Sequence, residues 1–143
     1  MKIAHLPKSV ALELTYRCNH KCKFCSCPWD APNSTYLKGE ELSICDWMKV
    51  IELLYNKGVE SFSISGGEVL LKDGFESILG FIRQEGKKRG IDLPIVLISN
   101  ARNMTADYIH LFKELKSLVV CRFHVNTVTN SMCRSLNSTY FRI

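Results

Sequence analysis

The chain reads as one α/β domain: an open or partial (β/α) barrel of about four βα units. Three observations predict this. Four short β-prone runs are separated by stretches whose apolar residues recur at helical spacing. Strands separated by helices imply βαβ units, hence a parallel sheet with right-handed crossovers. An eight-unit barrel takes about 250 residues, roughly 31 per unit, so this length supplies about four to five units and cannot close an eight-fold barrel.

The elements follow in order. Val10 to Thr15 (VALELT) is the first strand. Ser43 caps a helix over Ile44 to Asn56, with Asp46 three residues on and Gly58 just past the end. Its apolar positions Ile44, Trp47, Met48, Ile51, Leu54 and Tyr55 repeat at helical spacing. Ser61 to Ser65 (SFSIS) is the second strand, stopped by Gly66-Gly67. Phe75 to Glu85 forms the second helix, Pro94 to Ser99 (PIVLIS) the third strand, Ala106 to Leu115 the third helix, and Leu118 to Asn126 the fourth strand. With no fifth strand beside it, the fourth is expected to leave an unpaired edge that invites self-association.

Side chains alternate along a strand, so each strand has two faces. Val10, Leu12 and Leu14 oppose Ala11, Glu13 and Thr15. Phe62 and Ile64 oppose Ser61, Ser63 and Ser65. Cys121, Phe123 and Val125 oppose Arg122, His124 and Asn126. A parallel strand covered on both faces is apolar throughout. Three strands that each keep a polar face imply helices outside and a polar, ligand-binding concavity inside. The alternative is that these polar groups pair with one another in a filled core.

Composition sets bounds on function. Hydrophobic residues make up 46% and charged residues 23% of the chain, as in a globular domain. No apolar run is long enough to cross a membrane, and the N-terminus lacks the pattern of a signal peptide. A cytoplasmic location is therefore expected. The net charge is +5, but the basic residues are scattered. Lys87, Lys88 and Arg89 form a short run that reads as a solvated helix end, and no basic, aromatic-interleaved groove for nucleic acid is present.

The informative residue is cysteine. Of the 7 cysteines, Cys18, Cys22, Cys25 and Cys27 crowd together, while Cys45, Cys121 and Cys133 are dispersed. An odd count without a secretion signal argues against a disulfide framework, and a tight cluster argues for metal. Cys18-Asn-His-Lys-Cys22-Lys-Phe-Cys25 is a CxxxCxxC directly after the first strand. Thiolates are the standard ligands of Fe–S clusters, and three on one loop can hold three irons of a cubane, leaving the fourth open. The bacterial ferredoxin run ending in Cys-Pro does not occur, and structural zinc wants a second pair that is missing. Cys27 fits no cubane spacing and reads as a bystander thiol. A second signature, Ser65-Gly66-Gly67-Glu68, stands at the carboxyl end of the second strand, where α/β proteins bind ligands.

The stretch LELTYRCNHKCKFC, followed at this distance by GGE, resembles the strand and cluster loop of radical S-adenosylmethionine (SAM) enzymes. It is closest to the branch with cysteine-rich extensions (SPASM-type), which modifies peptides and proteins, and to the molybdenum-cofactor branch. The resemblance implies a TIM-like partial barrel with about four of the usual six βα units. It implies a radical SAM core domain over residues 1–143, truncated at the C-terminus. It implies that Cys18, Cys22 and Cys25 bind a [4Fe–4S] cluster whose fourth iron takes the SAM amino and carboxylate groups. Phe24 then packs near the adenine, and Gly66, Gly67 and Glu68 hold the methionine amino group. Val69 stands where the family usually has Pro. Ser99 and Asn100 resemble the family's Thr-Asn-Gly, with Ala101 in place of the glycine, and contact SAM or substrate. His124 falls where a serine meets the ribose, and Asn126 where an aspartate stands.

The function so implied is reductive cleavage of SAM to a 5′-deoxyadenosyl radical that abstracts hydrogen from a substrate, a peptide or protein in the nearest branch. The electron comes from a low-potential donor such as flavodoxin or ferredoxin. The alternatives are a truncated cluster- and SAM-binding module without turnover, and a structural metal domain.

Overall fold

The computed structural model describes residues 7–20, 22, 25, 39–121 and 139–141, with backbone alone at 118–121 and 139–141. Among them the order is β1 (Ser9–Glu13), α1 (Ile44–Asn56), β2 (Ser61–Ser65), a 3-10 turn (Val69–Leu71), α2 (Phe75–Lys88), β3 (Ile95–Ser99), α3 (Ala106–Glu114), β4 (Ser117–Cys121) and β5 (Thr139–Phe141). The strands lie side by side in chain order, β1-β2-β3-β4-β5. The first four are parallel, with Ser9 opposite Ser61 and Ile95 opposite Ser117. The expected α/β alternation and parallel sheet are present.

Capping explains the helix limits. Ser43 Oγ accepts from Asp46 N at 3.1 Å to start α1, and Thr105 Oγ1 accepts from Tyr108 N at 3.3 Å to start α3. α1 ends where Gly58 takes φ 90°. α2 runs three residues past the expected Glu85, through Gly86. A side chain at Gly86 would press on the Tyr55 hydroxyl and the Ile91 carbonyl. Tyr55 uses that space to donate to Ile82 O at 2.9 Å. The basic run behaves as a helix end: Lys88 and Arg89 pair with Glu85, and Arg89 lies over the Tyr55 ring.

The core lies on one face of the sheet. Leu12, Leu14, Phe62, Ile64, Ile95 and Leu97 are buried there against Ile51 and Tyr55 of α1, Phe75, Ile78, Leu79 and Ile82 of α2, and Phe112 of α3. On the opposite face Ala11 and Glu13 are exposed, and Ser61, Ser63, Ser65, Val96 and Ile98 are half-buried. The helices thus pack on one side of the sheet, and the Ser-rich face on the other side is partly open.

The far side of the sheet corrects an expectation. β5 pairs antiparallel with β4, Val119 opposite Phe141 and Cys121 opposite Thr139. β4 is therefore paired from Val119 to Cys121, so the edge expected to be open is not free over those residues. The expected continuation of the fourth strand, with Arg122, His124 and Asn126, lies outside the described residues.

Candidate functional site

Three strand ends meet at the carboxyl edge. Past β1 and β2 the ladder continues into the loops: Leu14 N donates to Ser65 O at 2.9 Å, Gly67 N to Thr15 O at 2.7 Å, and Glu68 N to Arg17 O at 2.8 Å. The glycine pair exists for this approach. A Cβ on Gly66, whose φ is 147°, would stand 2.7 Å from Thr15 O, and one on Gly67 would fall on the Arg17 carbonyl. Gly66 and Gly67 thus seat the backbone that leads directly into Cys18.

Glu68 is the hub. It is 1% exposed. Its Oε1 accepts from Leu70 N at 3.1 Å and Ser99 Oγ at 2.8 Å, and its Oε2 from Asn100 N at 2.6 Å. A carboxylate has about four lone-pair sites, so most of this one is committed to the protein. The carboxylate on which a ligand ammonium is expected also ties the end of β2 to the end of β3. Ser99 is buried and also accepts from Ala101 N at 2.9 Å. Ala101 takes φ 59°, a left-handed conformation that suits glycine better.

Asn100 carries the link into the cysteine loop. Its Nδ2 donates to Asn19 Oδ1 at 2.8 Å, and its Oδ1 accepts from Arg102 N at 2.9 Å. Asn19 donates in turn to Asn103 Oδ1 at 3.0 Å. Sequence reasoning passed over Asn19, although its place beside Cys18 in the motif was the available signal.

A second polar knot, also missed, lies at the base of the loop. Glu41 Oε1 accepts from Thr15 Oγ1 at 2.6 Å and Tyr16 N at 2.7 Å, and Glu41 Oε2 pairs with Lys72 Nζ at 2.9 Å. Burial opposes ionisation of Glu41, but the Thr15, Lys72 and Tyr16 hydrogen bonds and the Lys72 charge prevail and hold its carboxyl down to about 2. No spacing in the sequence announces this contact.

Cys18 and Cys22 are half-buried and Cys25 is exposed, and all three are thiols outside any disulfide. Cys25 N donates to Cys22 O at 3.1 Å, a tight turn between two of the three. Burial pushes the Cys22 thiol up, and the neighbouring Cys25 and Cys18 push it further, so the three are electrostatic neighbours. Among the described residues no three His, Cys, Asp or Glu side chains converge closely enough to hold a metal ion. The donor set suits an Fe–S cluster in kind, and such ligands draw together on binding. Phe24, Cys27 and His124 lie outside the described residues.

A cavity of about 10 Å³, room for about one water, is lined by Tyr55, Phe62, Ile82 and Arg83 at the opposite end of the strands, away from these groups. No helix among the described residues is long and apolar enough to cross a membrane.

This arrangement, a CxxxCxxC loop seated on a Gly-Gly-Glu turn at the carboxyl edge of a parallel sheet, is matched by a family model. The description "Radical SAM superfamily" fits residues 12–140, and the chain belongs to that superfamily of enzymes. Among proteins it resembles, the antilisterial bacteriocin subtilosin biosynthesis protein AlbA of Bacillus subtilis is 24% identical over 132 residues, covering 89% of this chain and 26% of that protein. The PqqA peptide cyclase of Rhodopseudomonas palustris is 31% identical over 97 residues, 68% of this chain and 25% of that one. The chain therefore spans about a quarter of the length of these relatives. The crystal structure of BtrN in complex with AdoMet and 2-DOIA shares the fold at a TM-score of 0.67 and 17% identity, over 90% of this chain and 50% of that one.

Proposed function

We propose that residues 1–143 form a radical SAM core domain in which Cys18, Cys22 and Cys25 hold a [4Fe–4S] cluster and that acts on a peptide or protein. The observation that carries this reading is the continuous backbone and side-chain linkage from the Gly66–Glu68 turn through Arg17 and Asn100 to Asn19, on either side of Cys18. With the cluster bound, the site would have the means for one-electron cleavage of SAM to methionine and a 5′-deoxyadenosyl radical that abstracts hydrogen from substrate. The electron comes from a low-potential donor such as flavodoxin or ferredoxin.

The chain's own residues have distinct tasks in this reading. Cys18, Cys22 and Cys25 donate thiolates. Gly66, Gly67 and Glu68 shape the methionine end of the SAM site, Glu68 by fixing the turn through Leu70, Ser99 and Asn100. Asn100 orients the start of the loop through Asn19. Phe24 serves the adenine and His124 the ribose. The peptide substrate class is supported by the likeness to a peptide cyclase and to a bacteriocin biosynthesis protein. The Ser-rich, half-buried inner face next to the site offers polar groups to such a substrate.

Anaerobic reconstitution tests the reading: about four irons and four sulfides per chain are expected, and deoxyadenosine on reduction with SAM. Iron uptake that survives Cys18, Cys22 and Cys25→Ala together would overturn it.

A further inference from the structure

We infer that Glu41 and Lys72 form a clasp that closes the neck of the cysteine loop and sets how long the loop keeps a bound cluster. The inference rests on the reading above that the loop holds one.

The loop leaves the sheet after Thr15 and Tyr16 and returns at Glu41, just before Ser43 caps α1. Glu41 reaches back across the neck, with Oε1 on both Thr15 Oγ1 and Tyr16 N. Lys72 enters from the segment after the Gly-Gly-Glu turn. Its side chain is 9% exposed, and it donates to Glu41 Oε2 at 2.9 Å and to Leu42 O at 3.0 Å. Three segments distant in sequence, the loop's exit, its return and the end of the glycine turn, thus share one ion pair. On the other side of the exit, Arg17 N donates to Thr15 Oγ1 and Arg17 O accepts from Glu68 N. Tyr16 and Arg17 are therefore pinned from two directions, and Cys18 follows immediately.

A multidentate ligand keeps its metal when a thiolate that lets go stays close enough to rebind. A closed neck provides that closeness, because the loop ends cannot drift apart while a ligand is off. The nearly buried Lys72 also makes the clasp asymmetric. Removing the Glu41 charge alone leaves a nearly buried ammonium with the Leu42 carbonyl but no counter-charge, whereas removing both charges leaves a neutral gap.

The test compares the full chain with Glu41→Gln, with the double variant Glu41→Gln/Lys72→Met, and with Lys72→Arg, which keeps the charge. Two rates are read. One is amide hydrogen exchange in the metal-free chain over residues 15–20, with α2 as internal control. The other is iron loss from the reconstituted chain to a ferrous chelator. Glu41→Gln and the double variant should speed both by about tenfold, in keeping with the loss of a charge-assisted hydrogen bond, with α2 exchange unchanged. Lys72→Arg should stay near the parent in both. The double variant keeps the test valid if Glu41→Gln alone folds poorly. Unchanged exchange over 15–20, or unchanged iron loss in variants that exchange faster, overturns the clasp. A parent chain that takes up no iron overturns the cluster reading, and the retention role with it.

Discussion

The helix-covered face of the sheet and the carboxyl edge of the same strands are held by different forces. On the face, Phe62, Ile64, Phe75, Ile78, Leu79 and Phe112 are almost wholly buried and make no directional demands on one another. At the edge, Glu68, Glu41, Asn100 and Asn19 hold four chain segments by hydrogen bonds between 2.6 and 3.1 Å. Apolar burial is strong but tolerant of geometry, whereas hydrogen bonds are individually modest but fix position. The proposed presentation of three thiolates would need the second kind of force, and a domain that must stay folded needs the first.

Substitutions can break or sharpen that contrast. The largest effect is all-or-none: Cys18, Cys22 and Cys25→Ala together should abolish iron binding while leaving the thermal melt of the metal-free chain nearly unchanged. Cys27→Ala should still bind. Equal loss with Cys27→Ala would reassign the ligands. Next, Phe112→Ala should cost roughly 3–5 kcal/mol in urea unfolding, because it removes a fully buried ring packed on Phe75 and Tyr108. Whatever fraction stays folded should still load iron. If loading fell faster than the folded fraction, the two regions would not be separable.

Glu68→Ala should act on both regions. It leaves the Ser99 hydroxyl and the Leu70 and Asn100 amides without their acceptor, at about 1–3 kcal/mol for each buried group left unsatisfied. SAM affinity of the reduced chain, read by titration, should fall because the turn loosens, while iron content holds. An unchanged SAM titration would remove Glu68 from the site.

A smaller effect is pH-dependent. The Glu41 carboxyl is held at about 2, below its ordinary 4.5. A depressed pKa stabilises the fold above the ordinary value, and that stabilisation drains away as pH falls from about 4.5 through about 2. Glu41→Gln should therefore flatten the acid limb of stability over that window in denaturant titrations at stepped pH. A limb of unchanged steepness would mean that other carboxylates carry it. The smallest expected change is a gain. Ala101→Gly should relieve the left-handed strain at φ 59° and raise stability by about 0.5–1 kcal/mol, seen as a slightly higher melting temperature.

Much of this was legible in the chain itself. α1 and β2 begin and end at the expected residues, because Ser43, Gly58 and Gly66 are local signals that act within a few residues. The α/β alternation and the one-sided burial of the strands follow from periodicity, which is also local. The cysteine loop and the Gly-Gly-Glu turn stood out because ligand type and spacing carry their own chemistry. The Ala101 substitution in the third strand's end was visible too, and the left-handed backbone there shows what a glycine would relieve.

What only the tertiary structure decided is which distant residues meet. The return of the chain as β5 against β4 sets its pairing partners across the intervening residues, and a three-residue strand leaves too short a pattern to read. The inward turn of Glu68 depends on Ser99 and Asn100 arriving from another strand, and sequence spacing cannot say which donor a carboxylate will find. Glu41, Lys72 and Thr15 come from three segments and have no common motif. Periodicity and motif spacing are properties of one stretch of chain and can be read from it. A hydrogen bond across the fold is a property of two stretches, and it exists only once packing has set their distance and angle.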